Sequence, residues 1–237
     1  MDRRTGTRGR ETGGLTMLRH VVLASCLAGF ACPYAAAENQ IWTSISLDTK
    51  PSEGSPYKFE LNTELRYQPD GDLDTVEIRP GIAYKLDNGL AVSGGYLYAQ
   101  SERAGPDQIE HRLWQRVAYP IAKLGSGKLK GQTRLEERWR EGADATGVRL
   151  RQKFAFEQPV ADTPFTLVLS DEVTVGLNDT AWGHAEGFQE NRAQAVIEWE
   201  MGPATWELGY LNQRRNGGNG ADDETNHHIV VGLSASF

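Results

Sequence analysis

The chain has 237 residues, room for one domain, with 24% charged residues and a formal net charge of −7. That acidic balance argues against nucleic-acid binding, which calls for a basic surface. After the N-terminus no run approaches the roughly 18 apolar residues of a membrane-spanning helix, which excludes a helical membrane protein. A β-barrel stays open, because half of each barrel strand faces a polar interior.

Residues 1–37 read as an extension plus an export signal, and residues 38–237 as the mature domain. Met1 to Gly14 is basic and Gly-rich. Met17 then reads as the start, Arg19 as the positive n-region and Val21 to Ala31 as the apolar h-region. Ala35, Ala36 and Ala37 suit a signal peptidase, with cleavage after Ala37. Losing five arginines and two acids leaves 20 basic and 30 acidic residues, a net −10. Cys26 and Cys32 both fall inside the leader, so the mature chain uses no disulfide. Leu23-Ala24-Ser25-Cys26 resembles a lipobox, but from Met17 almost no h-region would precede Cys26.

From Tyr57 onward apolar residues recur at every second position, the period of a strand. Tyr57, Phe59, Leu61, Leu65 and Tyr67 make the first apolar face; Val76, Ile78, Ile82 and Tyr84 the second. Leu90, Val92, Tyr96 and Tyr98 follow, then Ile109, Leu113, Val117 and Tyr119. Next come Leu129, Leu135 and Trp139; Val148, Leu150, Phe154 and Phe156; and the long face from Phe165 to Leu177. Ala193 to Trp199, Trp206 to Tyr210 and Ile229 to Phe237 complete the series. These are ten runs, with a weaker eleventh over residues 41–47. Bacterial barrels usually have an even strand number. The expected fold is therefore an all-β, closed, antiparallel, up-and-down transmembrane β-barrel of about ten strands, with twelve as the alternative.

Tight turns at Asp87-Asn88-Gly89 and Met201-Gly202-Pro203 alternate with longer polar loops over 101–108, 141–146, 178–186 and 215–225. Short turns on one side and long loops on the other fit a membrane barrel. On that up-and-down path Tyr57, Tyr84, Tyr119, Phe156, Phe165, Trp199, Trp206 and Phe237 gather at the periplasmic end. Tyr67, Tyr98 and Trp139 gather at the outer end, giving two aromatic girdles. The alternative is a soluble β-sandwich or a soluble, lipocalin-like binding barrel, with the apolar face inside. Runs longer than ordinary strands, the banded aromatics and the terminal Phe237, which looks like the signal read by the outer-membrane assembly machinery, weigh against it.

Several stretches resemble one family in order along the chain. They are Glu110-His111-Arg112-Leu113-Trp114-Gln115, Arg134-Leu135-Glu136-Glu137-Arg138, Arg149-Leu150-Arg151, Asn191-Arg192 and Glu207-Leu208-Gly209-Tyr210. Over Ile41 to Phe237 the sequence resembles the domain of unknown function 2490 family. That resemblance implies an outer-membrane barrel without an assigned activity, and brings no catalytic residues.

On the barrel reading the polar positions line the lumen. They hold Glu60, Glu64, Glu77, Glu110, Glu136, Glu172, Glu198 and Glu207. With them stand Arg66, Arg79, Arg112, Arg116, Arg134, Arg138, Arg149, Arg151 and Arg192, besides Lys130 and Lys153. Cross-strand Glu–Arg pairing is expected, since unpaired charges in a narrow interior are costly, and the planar guanidinium can bridge two carboxylates. Such charges either fill and lock a small barrel or line a narrow, anion-favouring pore. The third possibility is an outer-membrane enzyme acting on lipid or lipopolysaccharide. His111, His184, His227 and His228 are the mature histidines, and no spacing ties them to Ser101 or Asp107 as a triad. No metal or cofactor motif is present. The expected partners are outer-membrane lipids, lipopolysaccharide and the assembly machinery, with no nucleic acid, and the expected location is the outer membrane. The loop acids Asp70, Asp72, Asp107, Asp144, Asp179, Asp222, Asp223 and Glu224 suit divalent cations shared with lipopolysaccharide.

Overall fold

The computed structural model describes residues 39–217 and 222–237. The leader read over residues 1–37, with Met17, Cys26 and Cys32, lies outside the described residues, as does most of the Gly217-Gly218-Asn219-Gly220 loop. The strands are β1 Gln40–Thr49, β2 Tyr57–Tyr67, β3 Leu73–Lys85, β4 Ala91–Ser101, β5 Gln108–Leu124 and β6 Gly127–Arg140. They continue with β7 Gly147–Pro159, β8 Phe165–Gly176, β9 Gly187–Met201, β10 Ala204–Arg215 and β11 Glu224–Ser236. Among the described residues there is no helix. Each strand pairs antiparallel with the next, and β1 meets β11 to close the barrel.

The doubtful run at residues 41–47 is a full strand. Its apolar positions, Ile41, Ile45 and Leu47, face outward, while Ser44 and Ser46 on the inward side dilute the alternation in the sequence. Among the described residues the strand total is therefore eleven, between the two expected values. An odd number cannot close with antiparallel pairs alone, so β1 and β11 run parallel, with Gln40 opposite His228 and Asp48 opposite Ser236. The expectation of a wholly antiparallel barrel is corrected at that one seam.

One rim carries the connections at 50–56, 86–90, 125–126, 160–164 and 202–203; the other carries 68–72, 102–107, 141–146, 177–186 and 216–223. The two-residue turns depend on Gly125 (φ 65°) and Gly202 (φ 64°), where a left-handed backbone is needed. The outward aromatics collect near the rims. Tyr57 meets Tyr84 edge-on at 5.0 Å and Phe165 meets Trp199 at 6.4 Å on the short-turn side. Trp139 stacks on His111 at 6.1 Å on the long-loop side.

The two faces are inverted relative to a water-soluble barrel. Ile45, Phe59, Ile82, Val92, Leu113, Phe154, Leu208 and Ile229 stand exposed on the outer wall, whereas Glu110, Glu136, Arg134, Arg151 and Glu172 are buried inside. The apolar wall is interrupted by polar side chains that satisfy one another. Thr133 donates to Gln152 at 2.6 Å, Gln152 to the Tyr119 hydroxyl at 3.2 Å, and Asn191 to Asp171 at 2.9 Å. Inside, the largest apolar residue at the β3–β5 wall is Trp114. Its indole lies where a Cβ on Gly81 or Gly95 would sit, so those two glycines give it room.

Candidate functional site

The interior is built by three strands whose inward positions are almost all charged. On β5, β6 and β7 the alternation places Glu110, Arg112, Trp114 and Arg116 on one row, Arg134, Glu136, Arg138 and Arg140 on the next, and Arg149 and Arg151 on the third. Register then sets like charges opposite each other: Arg112 faces Arg138, Arg116 faces Arg134, and Arg134 faces Arg151. Like charges across a pair are destabilising, so these guanidiniums must find carboxylates elsewhere on the lining, across a pair, on a diagonal or along their own strand.

They do. Glu136, 1% exposed, receives Arg149 at 2.7 Å, Arg134 at 2.9 Å and Arg151 at 3.5 Å. Glu110 takes both Nε and Nη2 of Arg138 at 2.8 Å each, with Arg112 alongside and Arg140 at 3.5 Å. Glu77 on β3 bridges Arg66 and Arg112, each at 3.3 Å. Arg151 also grips Glu172 on β8, and Arg116 reaches past β4 and β3 to Glu60 on β2. Each multiply bridged carboxylate uses the guanidinium fork that a lysine lacks.

The remaining expected lumen residues share this inward face with different partners. Glu64 pairs with Arg66 at 2.6 Å, and Arg192 pairs with Glu190 at 3.2 Å. Glu198 and Glu207 sit lower in the barrel, beside Ser44 and Ser46. Arg79 forms no ion pair among the described residues. Phe237 lies on the rim, highly exposed, tied to β1 by its N–H donating to the Asp48 carbonyl at 2.9 Å.

Among the inward groups that the sequence does not mark, four bear on the site. Glu190 accepts Gln213 at 2.7 Å and is 7% exposed. It lies two residues before Arg192, one step beyond the run that was read as strand. Trp42 is sandwiched by Arg66 at 4.1 Å and Arg192 at 4.9 Å and stacks on His228 at 4.6 Å. Its strand carried the weakest pattern. Arg140 completes the Glu110 cluster. The fourth is His184, in a loop where no periodicity operates.

His184 belongs to a cap. The loop 177–186 between β8 and β9 folds over the long-loop mouth. Trp182 lies under Arg140 at 4.3 Å and Arg138 at 5.5 Å, and its carbonyl accepts Arg140 at 2.9 Å. His184 Nδ1 accepts Arg138 and Gln189, both at 3.2 Å, so Nε2 carries the hydrogen that it donates to the Val148 carbonyl at 2.9 Å. A register break sets Glu190 opposite Thr174 and Phe188 opposite Val175, leaving Gln189 as the extra residue on β9, and such bulges re-aim side chains. Gly147 makes the docking possible: a Cβ there would lie 2.6 Å from the His184 ring. Burial, and then the charges of Arg138 and Arg149, hold this imidazole below its usual value, against the pull of its bond to Val148 and of Glu110.

Of the other histidines His228 also lies inside, against Trp42, and the remaining two go elsewhere. His111 and His227 face outward against the hydroxyls of Tyr96 and Tyr210, and Ser101 is bonded to Thr75 rather than to a histidine. Among the described residues no group of three or more acids, histidines or cysteines is placed to hold a metal. Of the loop acids, Asp179 caps the Glu186 N–H at 2.8 Å and Asp223 pairs with Arg214 at 2.7 Å.

Below the Glu136 layer the interior keeps a cavity of about 260 Å³, bounded by strands on all sides of the barrel. Four carboxylates and six cations line it.

A family model described as Protein of unknown function (DUF2490) matches residues 39–225. An uncharacterized protein of Methylorubrum extorquens is similar, 33% identical over 207 residues that cover 83% of this chain and 90% of the relative. No solved structure matches.

Proposed function

The chain belongs to the DUF2490 family, and from that premise we propose an outer-membrane β-barrel whose charge-filled interior locks the wall and leaves a narrow, capped path that favours anions. The observation that carries this reading is the inversion of the two faces. Large apolar side chains are exposed around the wall, and carboxylates and guanidiniums are buried within it. In water that wall would forfeit roughly 25 cal/mol for each Å² of apolar surface left exposed. In lipid it is the low-energy face, and only closed barrels and helices satisfy their backbone there. A soluble binding barrel would carry the opposite distribution.

The anion preference follows from the cavity lining, six cations against four carboxylates. The cap over residues 177–186 narrows the mouth, so passage is limited to small solutes. Lipopolysaccharide and outer-membrane lipid are the partners for the wall, and Phe237 is the recognition point for the assembly machinery. Cell fractionation tests the placement: the protein should appear in the outer membrane and migrate as a heat-modifiable band. Recovery in the soluble periplasm would overturn it. Reversal potentials in a planar bilayer under a salt gradient test the path, and a cation-selective current would remove the anion preference.

A further inference from the structure

The interior charges do not balance within the cavity. Arg116 is committed to Glu60 and Arg151 to Glu172 and Glu136. Arg79 and Lys153, which line the same cavity, meet no carboxylate within ion-pair distance among the described residues, against one lining carboxylate, Glu207, that meets no cation there and is held by Gln194.

The hydrogen-bond donors tell the same story independently. The Nε atoms of Arg79, Arg134 and Arg192 are each buried without a hydrogen-bond acceptor, and all three residues line this one cavity. Arg134 is 5% exposed. Its Nε lies 2.9 Å from Glu136 Oε1 but off the hydrogen-bonding direction, so charge is compensated there while the donor is not. Arg134 stands directly opposite Arg151 in the β6–β7 register and shares the cavity lining with Arg79. A buried guanidinium with an orphaned N–H beside like charges is a costly arrangement. A ligand that brings both negative charge and several acceptor oxygens relieves the first cost directly and the second once the guanidiniums turn their Nε–H edges toward it.

We propose that this cavity is a binding site for a small oxyanion, a carboxylate or phosphate group seated between Arg79 and Arg134. Lys153 supplies further positive charge, Arg192 stands in the same lining already paired with Glu190, and Gln132 and Gln194 supply neutral amide donors. A guanidinium fork fits the oxygen spacing of both groups. A halide offers a single acceptor centre and leaves most of these N–H groups unmatched. The site deepens the proposed anion preference and rests on that reading.

The test uses the refolded full chain in detergent, titrated with inorganic phosphate and separately with acetate and chloride, with binding followed by calorimetry. Saturable binding of phosphate or acetate, at least tenfold tighter than chloride, is expected. Arg79→Gln should weaken it tenfold or more, and Arg214→Gln, on an exposed pair outside the cavity, should leave it unchanged. The two titrants separate a phosphate site from a carboxylate site. Equal binding by wild type and Arg79→Gln, an equal loss in Arg214→Gln, or no preference over chloride overturns the site. Should Arg79→Gln fail to refold, the arginine Nε–H resonances of the wild-type protein decide the matter: phosphate or acetate must shift those of Arg79 and Arg134. Calorimetry in detergent needs no current, so the two readings can fail separately. Current without saturable binding removes the site, and binding without current keeps the site and removes the path.

Discussion

Arg149 donates to Glu136 at 2.7 Å, directly across the β6–β7 pair, and thereby anchors the carboxylate that two further arginines share. Glu136→Gln keeps the shape of the side chain and removes its charge, leaving Arg134, Arg149 and Arg151 facing one another. Breaking a fully dry ion pair costs on the order of 3–5 kcal/mol, and interior water lowers that figure. The refolded variant should lose about 2–4 kcal/mol in urea unfolding from lipid vesicles on the same basis. A loss below about 0.5 kcal/mol, the scale of an exposed pair, would mean that the cluster is well solvated.

The cap makes its own prediction through Gly147. Adding a Cβ places carbon 2.6 Å from the His184 ring and 2.9 Å from Trp182, so Gly147→Ala should displace the 177–186 loop. Overpacking of this kind costs roughly 1–3 kcal/mol when the neighbours cannot yield. Here the loop can lift away, so the barrel should still refold while the loop gains protease sensitivity. Unchanged protection of the loop would show that the docking in the mouth is not what holds it.

Protonation should act on the same loop. An unfolded chain takes up a proton on His184 near its ordinary 6.5, whereas the folded site resists until lower pH. Between those values the unfolded state binds more protons, so stability falls as pH falls. The contribution is complete above pH 6.5 and is lost as pH drops through the folded value. Added charge at Nδ1 would also face Arg138, which donates to that nitrogen. The urea midpoint difference between wild type and His184→Gln should therefore shrink from pH 8 to pH 5. A difference independent of pH would discard the imidazole as the responsive group.

The outer wall is tested at Leu135, which lies opposite Leu150 on the outward face. On the proposed membrane placement, Leu135→Arg sets a cation against hydrocarbon at a cost of about 2–4 kcal/mol near mid-membrane. Insertion into vesicles, read as the heat-modifiable fraction, should drop sharply. Phe237→Asp should reduce insertion in cells but less so in purified lipid, because the assembly machinery is absent there. Normal insertion of both variants would contradict a membrane wall.

Much of the wall was legible in the sequence because a period of two is a local signal. Tyr57 through Tyr67 announces both its length and its faces. β1 was faint because Ser44 and Ser46 soften the inward face that charges mark elsewhere. The parallel seam could not be read, since it follows from counting every strand rather than from any one of them. Within the site, parity identified which charges share a face, as with Arg134, Glu136 and Arg138. It could not say that Arg138 belongs to Glu110 while Arg149 belongs to Glu136, because partner choice depends on register and on diagonal reach. His184 was out of range altogether: a loop has no period, and its place is set by Gly147 and Arg138, both distant along the chain.

The parallel seam has a topological consequence. With Gln40 beside His228 and Asp48 beside Ser236, β1 starts at the rim where β11 also starts, so its first residue and Phe237 lie at opposite ends of the barrel. An even-stranded wall would bring both to the same side. A fluorophore at Gln40 and another at Phe237 would accordingly sit at opposite rims, with the full height of the barrel between them. Ring closure therefore joins two strands that run the same way, through the evenly spaced, slanted hydrogen bonds of a parallel ladder rather than the ladder of one more hairpin.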